Sequence, residues 1–307
     1  MKAFKSILEF QKHFNTDEKC RIYLEQQRWN GTPCCPFCGS VNVHRFATNH
    51  KIFKCREKEC KNIFSATVGT IYENTKLPLT KWFLATYILS VHSKGISSLQ
   101  LSVWLGVTQK TAWFLNHRIR EMLTDKSPEL LNEIIEIDET YVGGKESNKH
   151  KSKRTAKGGV GKKSMVLGAI QRKGRLITKV IESTDIENIS TLINNNIEPN
   201  STIITDEHHA YNRVKENYNH SRINHRSKEY VRGNVHTNTI EGYWNILKKQ
   251  INGIHHFVSP KHLQRYCNEN AYRYNSKLLA QDERFALSVS QCNGRLKYND
   301  LIAKPMQ

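Results

Sequence analysis

The sequence predicts an α/β protein whose mixed sheet is preceded by a cysteine-rich segment and a helical segment. Three observations predict it. Six of the eight cysteines fall in residues 1–75. A long helical stretch then runs to Pro128. After it, strand-like and helix-like runs alternate, the order expected of an α/β sheet. The chain has 307 residues, 38% of them hydrophobic, enough for one large domain or a few small ones.

The elements follow in order. Phe4, Ile7 and Leu8 suit an amphipathic N-terminal helix, not a secretory leader, because no continuous apolar run follows them. "CPFCGS" and "CREKEC" supply Cys35, Cys38, Cys55 and Cys60 in a C-x2-C and a C-x4-C pair. Four thiolates so spaced suit a closed, tetrahedral, structural Zn2+ site. Gly39 permits the tight turn behind the first pair. Cys34 offers a poorer C-x3-C alternative. Cys20, Cys267 and Cys292 stand alone and are expected to be inert core thiols.

Residues 76–128 read as a helical region broken near Gly95 and Gly106. "SSLQLSVWLGVTQKTAWFLNHRI" predicts a helix-turn-helix. Leu101 and Leu105 lie on its first helix, Gly106 at the turn, and Val107, Ala112 and Leu115 on the packed side of the second. Thr108 would cap the second helix. Gln109, Lys110, Asn116 and Arg120 would form a polar face free to meet DNA.

"EIIEIDETYV", "SMVLGAI" and "RLITKVIES" are β-branched, strand-like runs. "DIENISTLINNNI" places Ile186, Ile189, Ile193 and Ile197 at helical spacing, and "STIITDEH" is a fourth strand. "HTNTIEGYWNILKKQ" predicts a helix with Ile240, Trp244, Leu247 and Ile251 on its apolar stripe. Beside that stripe lie Asn238, Glu241, Asn245 and Lys248. A helix that only needed to bury one face would not require this second ordered one.

Three carboxylates stand out. Asp138 sits within the first apolar strand, Asp206 ends the fourth, and Glu241 lies on the helix. An acid in or at the end of a buried strand is costly unless it meets a cation. Carboxylates drawn from separate elements can hold Mg2+, and two such ions about 4 Å apart suit phosphoryl transfer. Glu136 and Glu139 flank Asp138 and compete for the first position. Glu207 competes with Asp206, and His236 is a further weak candidate; His208 and His209 also lie near these acids.

The chain carries 47 Lys plus Arg against 28 Asp plus Glu, a net charge of +19. That excess predicts a polyanionic partner, most often nucleic acid. Part of it clusters in residues 145–163, where Lys151, Lys153, Arg154, Lys157, Lys162 and Lys163 would contact the duplex. "GGVGKK" in that segment lacks the spacing of a nucleotide-binding loop. No apolar run is long enough to span a membrane.

The words "IDETYVGGK", "ITDEHHAY" and "HTNTIEGYWNILKK", with "FSATVGTIYENTKLPLTKWF" and "SPKHLQRYCNENAYRYN", resemble insertion-sequence transposases of the DDE type. The similar group is the ISXO-like one, which joins an N-terminal zinc ribbon to a ribonuclease-H-like core. The resemblance implies that Asp138, Asp206 and Glu241 hold two Mg2+ (or Mn2+) ions. It also implies that Lys248 contacts transposon-end DNA near the reacting phosphate. It further implies binding of terminal inverted repeats, cleavage of the ends, joining of the 3′-hydroxyl to target DNA, and a homodimer or larger assembly on double-stranded DNA. A bacterial, cytoplasmic, nucleoid-associated protein is implied as well. The alternatives are a zinc-ribbon and helix-turn-helix regulator without catalysis, and a ribonuclease-H-like nuclease without strand transfer.

The expected organisation has an N-terminal helix and zinc ribbon over 1–75 and a helix-turn-helix region over 76–128. The catalytic domain spans 129–277, with the basic insertion 145–163 inside it. A tail follows over 278–307.

Overall fold

The structure is a computed structural model. It describes residues 4–303 except 127, 145–149, 151, 153–162, 212–213, 215–217, 225–226 and 228. The chain folds as two compact units: residues 1–124 with 278–307, and residues 125–277.

In the first unit, α1 (Ile7–His13) and α2 (Asp17–Trp29) lead into a three-stranded antiparallel sheet. Its strands are β1 (Val43–Arg45), β2 (Ile52–Cys55) and β3 (Ile63–Ser65). Trp29 closes α2 onto this sheet, its ring edge-on to Phe53 at 5.2 Å, and Phe53 stacks on Phe64 at 5.5 Å. The helices α3 (Leu79–Val91), α4 (Ser98–Leu105) and α5 (Gln109–Met122) follow.

The expected helix-turn-helix elements form. Gly106 ends α4 in the left-handed region at φ 57°, the conformation glycine adopts without strain, and the Thr108 side chain caps α5 by accepting from the Thr111 amide. Leu101, Leu105, Ala112 and Leu115 are buried. The expected DNA face needs correction, however. Gln109 and Lys110 are exposed, but Arg120 is only 1% exposed and Asn116 is equally buried. Every residue from Leu115 to Arg120 is buried, because the second half of α5 runs through the interior of the unit. Arg120 therefore cannot reach a DNA backbone.

Two expected boundaries also differ. The segment expected as a tail forms α9 (Gln281–Ser290) and α10 (Tyr298–Ile302). Phe285 of α9 is fully buried within about 6 Å of the rings of Phe4, Phe10, Phe14, Tyr23 and Phe83. That one aromatic cluster joins residues from α1, α2, α3 and α9, so 1–75 and 76–128 share a core with 278–307 instead of standing apart.

The second unit is built on a five-stranded sheet in the order β6-β5-β4-β7-β8. Here β4 is Ile134–Val142, β5 Ser164–Gln171, β6 Leu176–Ile181, β7 Thr202–Thr205 and β8 Asn219–Arg222. The first three form an antiparallel meander, while β7 and β8 run parallel to β4. This is the ribonuclease-H-like arrangement: three antiparallel strands, then parallel strands added at the other side of the first, with helices on the faces. On one face, α6 (Ile186–Asn196) buries Ile189, Leu192 and Ile193 against Ile135, Ile137 and Leu167. On the other, α7 (Asn238–Gln250) buries Ile240, Trp244 and Leu247 with Val142, Val166 and Ile170, and α8 (Pro260–Asn275) adds Leu263 and Cys267. Among the described residues, no helix is long and apolar enough to cross a membrane.

Candidate active site and metal centre

The Sγ atoms of Cys35, Cys38, Cys55 and Cys60 all lie within 4.8 Å of one another. Cys35 to Cys60 is 3.7 Å and Cys38 to Cys55 is 3.6 Å. Sulfurs at the corners of a tetrahedron with zinc–sulfur bonds of about 2.3 Å sit about 3.8 Å apart, and a disulfide needs about 2.05 Å. The thiols therefore fit zinc and exclude a cross-link. Local backbone geometry prepares them. Gly39 takes φ 75° and its amide donates to the Cys35 carbonyl at 2.8 Å, folding the first knuckle. The Asn62 backbone amide and its Nδ2 group hold the Cys60 thiol down at about 7, so it gives up its proton readily. Cys34 stands outside the cluster, and Cys20, Cys267 and Cys292 are buried singly.

The second unit brings the acids toward the face of the sheet that α7 covers. Glu136 and Asp138 point to one side of β4, since side chains alternate along a strand. Glu136 pairs with Ile204 on the parallel strand β7. Asp206 follows directly after the end of β7, where that register, continued for two residues, would bring it level with Asp138, and its charge acts on the Asp138 carboxyl. Asp138 is half-buried. Burial first, then the charges of Glu139 and Asp206, push its carboxyl up to about 7. Glu139, on the opposite side of the strand, accepts a hydrogen bond from the Tyr211 hydroxyl at 2.8 Å; burial raises its carboxyl, and the charge of Asp206 adds to the rise. Asp206 accepts from the His208 amide at 2.9 Å.

Glu136 has a different task from the one the sequence left open for it. It is fully buried and caps α7 from outside. Its Oε2 accepts from the amides of Thr239 and Ile240 at 2.8 and 3.0 Å, and its Oε1 accepts from the Thr239 hydroxyl at 2.8 Å. Thr237, at the usual capping position, makes no side-chain cap bond. Arg172 binds Glu136 through Nε at 2.7 Å and the carbonyls of Asn234 and His236 through its two other nitrogens. A strand carboxylate thus satisfies the orphan amides at the start of the helix that bears Glu241 and complements its dipole. His236 lies 3.4 Å from Glu136 and belongs to this clamp.

Trp244 makes a second tie. Its indole Nε1 donates to Asp138 Oδ2 at 2.9 Å. The ring lies flat enough on the sheet that a Cβ on Gly168, the β5 partner of Asp138, would come within 2.6 Å of it. Gly168→Ala is therefore expected to push the indole off Asp138. Overpacking of this kind costs about 1–3 kcal/mol. Thermal unfolding should show that modest loss, while indole fluorescence reports the displaced ring; an unchanged spectrum would contradict the packing.

On α7, Asn238, Glu241, Asn245 and Lys248 are all exposed, in line, beside the buried stripe. Asp138, Asp206 and Glu241 do not draw their oxygens into a second close group. Among the described residues, the four cysteines are the only cluster of three or more potential ligands at that distance. Glu241 Oε1 instead accepts from the Thr237 hydroxyl at 2.9 Å. Bare like charges gain nothing by approaching one another. The donors nonetheless suit a hard divalent ion: all are carboxylate oxygens, from two strands and a helix. Of the expected DNA-contacting lysines and arginine, Lys163 sits at the start of β5, packed by Gly143, and Lys151, Lys153, Arg154, Lys157 and Lys162 lie outside the described residues.

Comparisons with known proteins bear on both units. Residues 130–275 match the ISXO2-like transposase domain, and residues 15–62 match a transposase zinc-ribbon domain. An uncharacterized protein in transposable element ISH50 of Halobacterium salinarum is 26% identical over 267 residues, covering 83% of this chain and 90% of that one. Solved structures of a pre-cleavage Mos1 transpososome and of the Mos1 strand transfer complex align over 69% and 70% of this chain and 79% and 78% of theirs. They are 14% and 15% identical, with TM-scores of 0.27 and 0.25.

Proposed function

Because the chain belongs to the ISXO2-like transposases that carry an N-terminal zinc ribbon, we propose that it binds the terminal inverted repeats of its element, cuts the ends and joins them to target DNA. Asp138, Asp206 and Glu241 are the groups we assign to a divalent-ion site. The observation that carries this assignment is the placement of Asp206 at the end of β7, where its charge acts on Asp138, on the face covered by the helix of Glu241.

An ion held there supplies charge neutralisation at the scissile phosphate and lowers the cost of deprotonating the attacking oxygen. The protein's own groups do the rest. Glu136 and Arg172 fix the start of α7, Trp244 holds one oxygen of Asp138, and Lys248 projects from the exposed stripe toward the DNA backbone. In the first step water attacks phosphorus and the 3′-oxygen leaves, with one P–O bond made and one broken. In the second, that 3′-hydroxyl attacks a target phosphodiester in line and displaces another 3′-oxygen. No covalent protein–DNA link forms. Ends are cut in pairs, so two or more protomers assemble on DNA.

A duplex carrying the terminal repeat that flanks its gene, incubated with Mg2+ or Mn2+ and a target plasmid, tests this reading. Cut ends bearing 3′-hydroxyls and joined to the plasmid are the expected products. Binding without cutting would show a regulator, and cutting without joining a nuclease.

A further inference from the structure

The chain between Glu241 and Glu269 holds no acidic residue, yet it carries Lys248, Lys249, His255, His256, Lys261, His262 and Arg265. Within it, α7 passes into a π-helical turn, Ile251–His255. Such turns are rare and gather at functional positions. His256 follows at φ 59° and ψ −46°, and the Phe257 amide donates to the His255 carbonyl at 2.6 Å. That is a γ-turn of the strained hand, on a residue with a side chain, and strain of this kind persists only where the surroundings hold it.

The surroundings do hold it. Ile251 is buried and Val258 packs against the same core cluster, so both ends are anchored. The His255 ring lies edge-on to Tyr266 at 4.7 Å, and His256 Nδ1 lies 3.1 Å from the Asn252 carbonyl. Between these anchors Phe257 is 72% exposed, more than any other aromatic side chain among the described residues. A loose loop would let this ring fold back onto the protein. A braced turn instead keeps it out, in a basic setting.

We propose that Phe257 is a base-stacking wedge, which enters the DNA duplex within about six base steps of the reacting phosphate and takes the face of an unstacked nucleobase. Apolar side chains enter base steps in this way, and lysines around them hold the backbone. This rests on the transposase reading above. The helical rise puts Phe257 about 20 Å along from Glu241, which corresponds to about six base steps.

The test uses the full chain and the terminal-repeat duplex with 2-aminopurine placed, one position at a time, within six steps of the cut. Wild-type protein is expected to raise the fluorescence at one position severalfold, as unstacking does. Phe257→Ala should abolish that rise and weaken binding by about tenfold, the size of one lost stacking contact, without altering the salt dependence. Phe257→Trp should restore both. Cutting and joining by the wild type with no Phe257-dependent unstacking would overturn the wedge alone. Failure of the wild type to bind the duplex would overturn both readings.

Discussion

Removal of zinc is expected to unfold the ribbon while leaving the second unit folded. Strands of three, four and three residues cannot hold a sheet by themselves. Beneath them Trp29, Phe53 and Phe64 form a small aromatic cluster. Metal binding at four thiolates contributes about 10 kcal/mol or more in comparable small sites, far above what those rings supply. A chelator with a colorimetric zinc indicator should release one ion per chain. Proteolysis should then cut within residues 33–63, which are protected in the loaded protein. Residues 125–277 form a compact unit with core clusters of their own and should keep their protection. A ribbon that stays resistant after complete removal would contradict the structural role of the site.

Asp138→Asn should act in opposite directions on stability and on chemistry. The carboxyl titrates near 7 in the folded protein and near 3.8 when free. A raised acid favours folding only while protonated. Its contribution is therefore full below about pH 4 and is lost as pH rises through 7. At pH 8 without divalent ions, the ionised Asp138 opposes folding by an amount on the order of 2–4 kcal/mol. Asparagine removes that charge and can still accept from Trp244. The variant should melt above the wild type at pH 8 and level with it near pH 4. Added Mn2+ should raise the melting temperature of the wild type and leave the variant's unchanged. Strand cleavage should fall by about three orders of magnitude, since a missing ligand removes charge stabilisation from the transition state. A variant less stable than the wild type at pH 8 would sink the electrostatic reading of the site.

Much of the architecture was legible because its signals are periodic or paired. The stripe of Ile240, Trp244, Leu247 and Ile251 is buried as its spacing requires, and the exposed stripe beside it is real. The paired cysteine spacings lead directly to the four-sulfur cluster. Other parts had no local signal. Strand β8 reads Asn-His-Ser-Arg, which no propensity scale marks as a strand; parallel pairing to β7 makes it one. Arg120 looks like a surface cation at helical spacing, and only the packing of α5 on all sides reveals that it is interior. Residues 278–307 read as a tail, yet Phe285 and Val289, four apart on one helix, are fully buried.

The site followed the same division. Acids in apolar strands were visible as anomalies. The roles of their neighbours were not. Glu136 could be read as a rival to Asp138, because sequence spacing cannot say that it meets the amides of a helix a hundred residues on. Gly168, isolated in a β-branched run, did carry a usable sign. A lone glycine within a strand marks the close approach of another group, here the indole that binds Asp138.

The central claim is that Asp138, Asp206 and Glu241 close around divalent ions when DNA is present. Anomalous diffraction from Mn2+ in crystals of the protein with its terminal-repeat duplex tests it most directly. The account predicts two peaks about 4 Å apart, bounded by those three carboxylates and a DNA phosphate. Peaks elsewhere, or none between Asp138 and Asp206, would contradict it.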